Sequence, residues 1–166
     1  MEFEQNMRPK VYANYEIKDP IDNFEYLRGD DMASLSEKLS DSIIAIDELH
    51  EYADSRNSSS LQNRRVCTFF LQSRHTNSNI YWTSQFKDQV DKRIRRITDV
   101  DIVVENLLMD SDGDGDDDLF HFVLTDHRRQ LVVERTIYAQ PIFDIYDSTE
   151  RINPFEWKGK DDDLLV

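Results

Sequence analysis

The chain has 166 residues, a hydrophobic fraction of 39% with 11% aromatics, and a formal net charge of −14. These values fit one folded domain with a real core and exclude DNA binding through the overall field, so any such contact must come from a local basic cluster. One cysteine, Cys67, excludes an internal disulfide framework, no apolar run reaches a membrane span, and the start MEFEQNMRPK is unlike a signal peptide, so a cytoplasmic protein with no membrane contact is expected.

Lys10 to Ile17, KVYANYEI, places Val11, Ala13, Tyr15 and Ile17 on one side and predicts a strand closed by Asp19-Pro20. After a looser stretch through Phe24, Tyr26 and Gly29, Asp30 to Ser40 predicts a short helix, with Ser34 as N-cap and Glu37 three residues on. Ser42 to His50, SIIAIDELH, reads as a parallel strand covered on both faces, because polar alternation is missing. A helix is expected after Glu48, then a loop over the serine-rich Asp54 to Ser60.

Leu61 to His75 predicts a helix with Val66, Phe69 and Phe70 on its apolar side, and Asn79 to Gln85 a short strand. Phe86 to Ile97 carries Phe86, Val90, Ile94 and Ile97 at helical spacing. Strand and helix thus alternate three times, which predicts an α/β domain with a parallel sheet flanked by helices over residues 10–99. A β-rich antiparallel extension is expected over 100–151, from the runs Asp101 to Met109, Leu119 to Thr125, Leu131 to Tyr138 and Pro141 to Tyr146, with 152–166 as a polar tail.

Asp47 and Glu48 end the apolar strand at the edge where open α/β sheets bind ligands. One acid can hold Mg²⁺ while its neighbour polarises the water that attacks a γ-phosphate, which is a Walker B pattern with its catalytic Glu. An acidic entry to a following helix, DELHEY, would account for the same residues. Gln85 ends the next strand, where a polar residue can sense the γ-phosphate and orient the attacking water.

Arg93, Arg95 and Arg96 form a basic knot, DKRIRR, in an acidic chain. It can be an arginine finger reaching a neighbouring subunit's nucleotide, a solvated helix face paired with Asp88 and Asp91, or a contact to DNA phosphates. In the loop Asp110 to Asp118, Asp110, Asp112, Asp114 and Asp116 follow the early ligand spacing of a calcium loop, with Gly115 sixth. The twelfth position is His121 where a bidentate Glu is needed, so a solvated acidic hairpin loop is preferred to a Ca²⁺ site. The four histidines and Cys67 show no zinc spacing, and no nucleophile-elbow signature occurs.

SIIAIDELHEYADSR, FLQSRHTNSNIYWTSQ, DKRIRRITD and IFDIYDSTERI together resemble the additional-strand P-loop ATPases of the FtsK/HerA superfamily, nearest to viral and proviral genome-packaging and zonular-occludens-toxin-like ATPases. KVYANYEIKDP is similar to that group's second strand, which follows the P-loop helix. The resemblance implies a RecA-like sheet, incomplete at its N-terminus. It also implies Asp47 as Mg²⁺ ligand, Glu48 as catalytic base, Gln85 as sensor, and one of Arg93, Arg95 or Arg96 as finger. The departure is the Walker A motif: with four glycines, Gly29, Gly113, Gly115 and Gly159, the sequence has no run that could cradle phosphates.

The resulting expectation is the Walker B and sensor portion of a viral or proviral DNA-translocating ATPase. It would be archaeal and halophilic in surface, and cytoplasmic within the host. Mg²⁺ and ATP would serve it once another polypeptide, or a homo-oligomeric ring, completes the site. A catalytically inert module that recruits a protein partner is the competing expectation, and a Ca²⁺- or salt-responsive protein a third.

Overall fold

The computed structural model describes residues 9–18, 22–34, 39–108, 119–138, 140–143 and 145. Among them the chain divides at Arg96/Ile97 into two compact units, residues 17 and 18 belonging with the second. The acidic loop Asp110 to Asp118, with the proposed calcium ligands Asp110, Asp112, Asp114 and Asp116, and the tail 152–166 lie outside the described residues.

The first unit is built on a four-stranded, wholly parallel sheet in the order β2-β1-β3-β4. Its strands are β1 (Lys10–Ala13), β2 (Phe24–Tyr26), β3 (Ser42–Ile46) and β4 (Asn79–Trp82). β3 sits inside the sheet, with Ile44 opposite Tyr12 of β1 and Ile80 of β4. Ile44 and Ile46 are fully buried, whereas Ile43 and Ala45 on the other face are only half-buried. The strand is therefore central, but its two faces are not covered equally.

The helix α2 (Leu61–Gln72) connects β3 to β4. Ser60 caps it, accepting from the Asn63 N–H at 3.2 Å, and Val66, Cys67, Phe69 and Phe70 turn inward at helical spacing. Burying each of the large apolar side chains contributes about 1.5–3 kcal/mol, so the apolar face rather than propensity holds this helix. Tyr12, Met32, Leu27, Leu39, Leu49, Val90 and Ile94 complete the core.

Several elements differ from the sequence-based expectation, each for a local reason. The helix α1 spans Gly29–Ala33 and Ser34 closes it instead of opening it. Asp30 and Asp31 favour a helix start at that point, and the Asp31 carboxylate accepts the Arg28 N–H at 3.1 Å. β1 stops at Ala13 because Asn14 bends away to engage Asp47. No regular helix follows Glu48. Two 3-10 turns, Leu49–Glu51 and Ser55–Asn57, take its place, the second capped by Asp54, whose carboxylate accepts the Arg56 N–H at 2.8 Å.

The helix α3 covers only Lys92–Ile97. Upstream, Val90 is extended and bridges Asp54, while Phe86, one of the four apolar positions at helical spacing, is 61% exposed. Asp91 makes the break, accepting the Arg93 N–H at 2.8 Å in the manner of an N-cap.

The second unit contains an antiparallel sheet of β5 (Val100–Leu108), β6 (Leu119–Asp126) and β7 (Leu131–Tyr138), in that order. The turn between β6 and β7 forms because Asp126 Oδ1 accepts the N–H groups of Arg128 and Arg129, both at 2.9 Å, and Gln130 adopts positive φ. The run at Pro141 is a helical turn, α4 (Gln140–Phe143), where a short extended segment was expected.

In register, Val100, Ile102 and Val104 face the same way as Phe122 and Leu124 of β6 and Leu131 and Val133 of β7. Val100, Ile102, Val104 and Leu131 remain exposed on that face. Among the described residues no helix is long and apolar enough to cross a membrane.

Candidate active site

The parallel sheet carries Asp47 and Glu48 directly past the C-terminal end of β3, and the neighbouring strands reach them from both sides. From β4, the Thr83 N–H binds the Ile46 carbonyl at 2.9 Å and the Leu49 N–H returns to the Thr83 carbonyl at 3.0 Å. The Thr83 hydroxyl donates to Asp47 Oδ1 and accepts the Glu48 N–H at 3.1 Å. From β1, the Asn14 amide binds both peptide groups that flank the Asp47 α-carbon. Its Oδ1 accepts the Asp47 N–H at 2.8 Å and its Nδ2 donates to the Asp47 carbonyl at 2.9 Å.

Glu48 itself lies in the left-handed region, φ 51° and ψ 50°. A non-glycine residue there costs roughly 1–2 kcal/mol. Strain of this kind persists only where surrounding contacts hold it, and it gathers at functional sites. In return the chain turns sharply and presents both carboxylates at one sheet edge.

Gln85 lies three residues past β4, and its Nε2 reaches Glu48 Oε1 at 3.3 Å. The other Glu48 oxygen lies 3.1 Å from His50 Nδ1, and the Ser84 hydroxyl lies 3.2 Å from that same nitrogen. His50 Nε2 is 3.4 Å from Glu51 Oε1. The contact to Glu48 is one of distance only, since this buried Glu48 oxygen has no hydrogen-bond partner among the described residues, whereas the Ser84 hydroxyl does hydrogen-bond Nδ1. Tyr15 sits near enough for the Asp47 charge to raise its hydroxyl above the ordinary tyrosine range, although burial is the larger cause.

Asp47, with the Thr83 hydroxyl beside it, is the residue that could hold a divalent cation such as Mg²⁺. One carboxylate beside a hydroxyl suits an ion that keeps most of its waters and takes further oxygens from phosphates. No cluster of three or more His, Cys, Asp and Glu side chains that could grip a metal occurs among the described residues, so a cation would rest on few protein ligands.

The three arginines have different fates. Arg93 is consumed within the fold. Its Nε and Nη2 fork onto the two oxygens of Asp91 at 3.0 and 2.8 Å, and Nη2 also reaches the Ser58 carbonyl at 2.9 Å and Asn63 Oδ1 at 3.2 Å. These bonds hold the Asp91 carboxyl below the usual range. Asn63 in turn accepts the Cys67 thiol at 3.3 Å, and burial, reinforced by Asp91, pushes that thiol up to about 11. Arg95 has its Nε buried without a hydrogen-bond partner among the described residues, and Arg96 is exposed.

The structure thus brings Asp47, Glu48 and Gln85 together and gives Arg93 an internal role. Sequence reasoning missed Asn14, Thr83 and His50. TSQ carried a signal for Thr83, since the first polar residue after a strand stands nearest the neighbouring strand's tip. Nothing in KVYANYEI singles out Asn14.

A parallel sheet with an acid pair at one strand tip and a polar residue at the next defines an α/β protein of the P-loop NTPase type. The sequence model of the family "Zonular occludens toxin (Zot)" matches residues 6–151, most of the chain, and the chain belongs to that family. Among solved structures, the N-terminal domain of zonular occludens toxin from Neisseria meningitidis aligns with a TM-score of 0.58 at 16% identity, covering 87% of this chain and 83% of that one. At that identity the likeness is one of fold.

The genome packaging NTPase B204 from Sulfolobus turreted icosahedral virus 2, solved in complex with ATP-gammaS, aligns with a TM-score of 0.48 at 9% identity, covering 77% and 82% of the two chains, too weakly to carry an argument. No curated protein matches the sequence. The resemblance to zonular-occludens-toxin-like ATPases therefore holds for family and fold.

Proposed function

We propose that the chain carries the acid pair and sensor of a packaging-type, DNA-translocating ATPase. Asp47 would hold Mg²⁺, Glu48 would take a proton from the attacking water, and Gln85 would orient Glu48 and that water. The observation that carries the reading is the convergence of Gln85 Nε2 on Glu48 Oε1 at 3.3 Å, beside an Asp47 carboxylate held at the strand tip.

A glycine-rich run ending in a phosphate-binding lysine is absent from these 166 residues, so ATP would bind where a P-loop supplied from outside them meets the sheet. The edge position of β4 supports this, because a further strand can pair there beside the Gln85 tip. Arg96, exposed on α3, is the arginine best placed for a neighbouring nucleotide or for DNA phosphates, and the site would work in the cytoplasm as part of a ring or a mixed assembly.

The test is calorimetric titration of the protein with Mg²⁺ and ATP at high salt, beside Asp47→Asn, followed by hydrolysis in the reconstituted assembly. Asp47-dependent binding, and hydrolysis lost in Glu48→Gln, are expected. An assembly that hydrolyses ATP equally well with Glu48→Gln would refute the catalytic role.

The exposed apolar face of the β5-β6-β7 sheet favours a second reading, a binding module that recruits a protein partner without chemistry. It predicts partner capture that is indifferent to nucleotide and to Asp47→Asn.

A further inference from the structure

Asn14 is the polar side chain most completely removed from water near the acid pair, 1% exposed, and all of its hydrogen-bonding capacity points at the site's scaffold. Beyond its two bonds to the peptide groups of Asp47, its Nδ2 lies 3.5 Å from the Tyr52 hydroxyl and its own carbonyl accepts the Tyr26 hydroxyl at 3.0 Å. β1 and β3 pair in parallel up to Ala13 and Ala45, and beyond that point the two backbones part. The Asn14 amide, which has both an acceptor and a donor, continues the ladder across the gap. Thr83 holds the same turn from the β4 side, so Asp47 and Glu48 are gripped by two strand tips at once.

We infer that Asn14 is a positioning residue for the acid pair. Its side-chain amide substitutes for a strand backbone and fixes the direction in which the strained Asp47-Glu48 turn presents its carboxylates. Only a side chain with a donor and an acceptor at one carboxamide spacing binds the N–H and C=O of a single residue in this way. An aspartate would set an oxygen against the Asp47 carbonyl, and a leucine of similar size would remove both of these bonds. The inference deepens the proposed function and rests on it for its consequence, while the clamp itself can be measured apart from any activity.

The experiment uses the intact protein and nuclear magnetic resonance. In the wild type, a through-hydrogen-bond scalar coupling between the Asp47 amide nitrogen and the Asn14 side-chain carbonyl carbon is expected, and its absence overturns the inference without need of a variant. In Asn14→Leu, the Asp47 amide should exchange with solvent on the order of tenfold faster, while the amides of Ile44 and Phe70 keep their protection. Acceleration spread evenly over β3 and α2 would show a general loss of stability and overturn the positioning role.

Mg²⁺ alone is the second probe. Wild-type Asp47 and Glu48 resonances should shift with Mg²⁺, the shift should vanish in Asp47→Asn, and Asn14→Leu should need about tenfold more Mg²⁺, as expected when a ligand loses its orientation. An unchanged Mg²⁺ midpoint in Asn14→Leu overturns the inference. A wild type that does not respond to Mg²⁺ removes the metal reading, and the exchange result then decides the clamp by itself.

Discussion

Replacing Arg93 with methionine distinguishes an internal staple from an arginine held in reserve for another subunit. The Asp91 carboxylate is 1% exposed and the Arg93 side chain 37% exposed, joined by a two-pronged fork that also ties down the Ser58 carbonyl and Asn63. Removing one partner of a buried pair costs about 3–5 kcal/mol, because the remaining charge is left without compensation. Two facts lower the figure for Arg93→Met: water already reaches part of the guanidinium, and the Arg93 N–H still serves Asp91 at 2.8 Å.

The loss should therefore fall near the bottom of that range, about 3 kcal/mol, which for a chain of this size lowers Tm by roughly 6–12 °C. The assay is urea unfolding at pH 7, followed by circular dichroism, on the wild type, Arg93→Met, Asp91→Asn and the double variant, with Arg96→Met as a surface control. The double variant should recover part of the loss, giving a coupling of about 2 kcal/mol. A cost below about 1 kcal/mol for Arg93→Met, or one equal to that of Arg96→Met, would refute the reasoning and return Arg93 to the surface role.

The same pair sets a pH dependence. The folded-state value of Asp91 lies below its unfolded value, so the stability it contributes is fully present above the ordinary carboxylate range and is lost as pH falls through the lowered value. The stability gap between the wild type and Arg93→Met should accordingly be constant from neutral pH down to about 5 and shrink on further acidification, as read from urea midpoints. A gap that widens in acid would contradict this sign.

Cys67, with its thiol pushed up to about 11, should react with a disulfide reagent at pH 8 some 200-fold more slowly in the native protein than after unfolding, the ratio set by the thiolate fraction at an ordinary value near 8.5. Equal rates would show that the thiol is not held as described. Glu48→Gly should leave stability unchanged or raise it by up to about 1 kcal/mol, because glycine adopts the left-handed conformation without penalty, while abolishing any hydrolysis that depends on Glu48. A urea-derived loss greater than about 1 kcal/mol would mean that the Glu48 side chain, through Gln85 and His50, holds the turn more than it strains it.

What the sequence determined by itself was the central strand and the place of two acids at its tip. SIIAI is too apolar for an exposed strand, although only one of its faces is fully buried, and the two acids that end the run stand at the strand tip. The three long strands of the second unit were equally legible, because an acidic loop and the Asp126 turn separate three runs of β-branched and aromatic residues. The resemblance to a known group rested on the central strand and its tip together with FLQSRHTNSNIYWTSQ, DKRIRRITD, IFDIYDSTERI and KVYANYEIKDP, not on these three strands.

Short elements were decided by tertiary structure. The predicted helix from Phe86 lost its first half to a 3-10 turn, Lys87–Gln89, when the Asp91 carboxylate took the Arg93 N–H and the Asp54 bridge held Val90 extended. The helix expected after Glu48 gave way to 3-10 turns once Asn14 and Thr83 gripped the two acids from neighbouring strands. These partners are 33 and 35 residues away in sequence, at a distance where no periodicity or capping rule carries information. Only the parallel pairing of β1, β3 and β4 brings them within hydrogen-bond reach, and the same pairing gathers Asp47, Glu48 and Gln85 into one site.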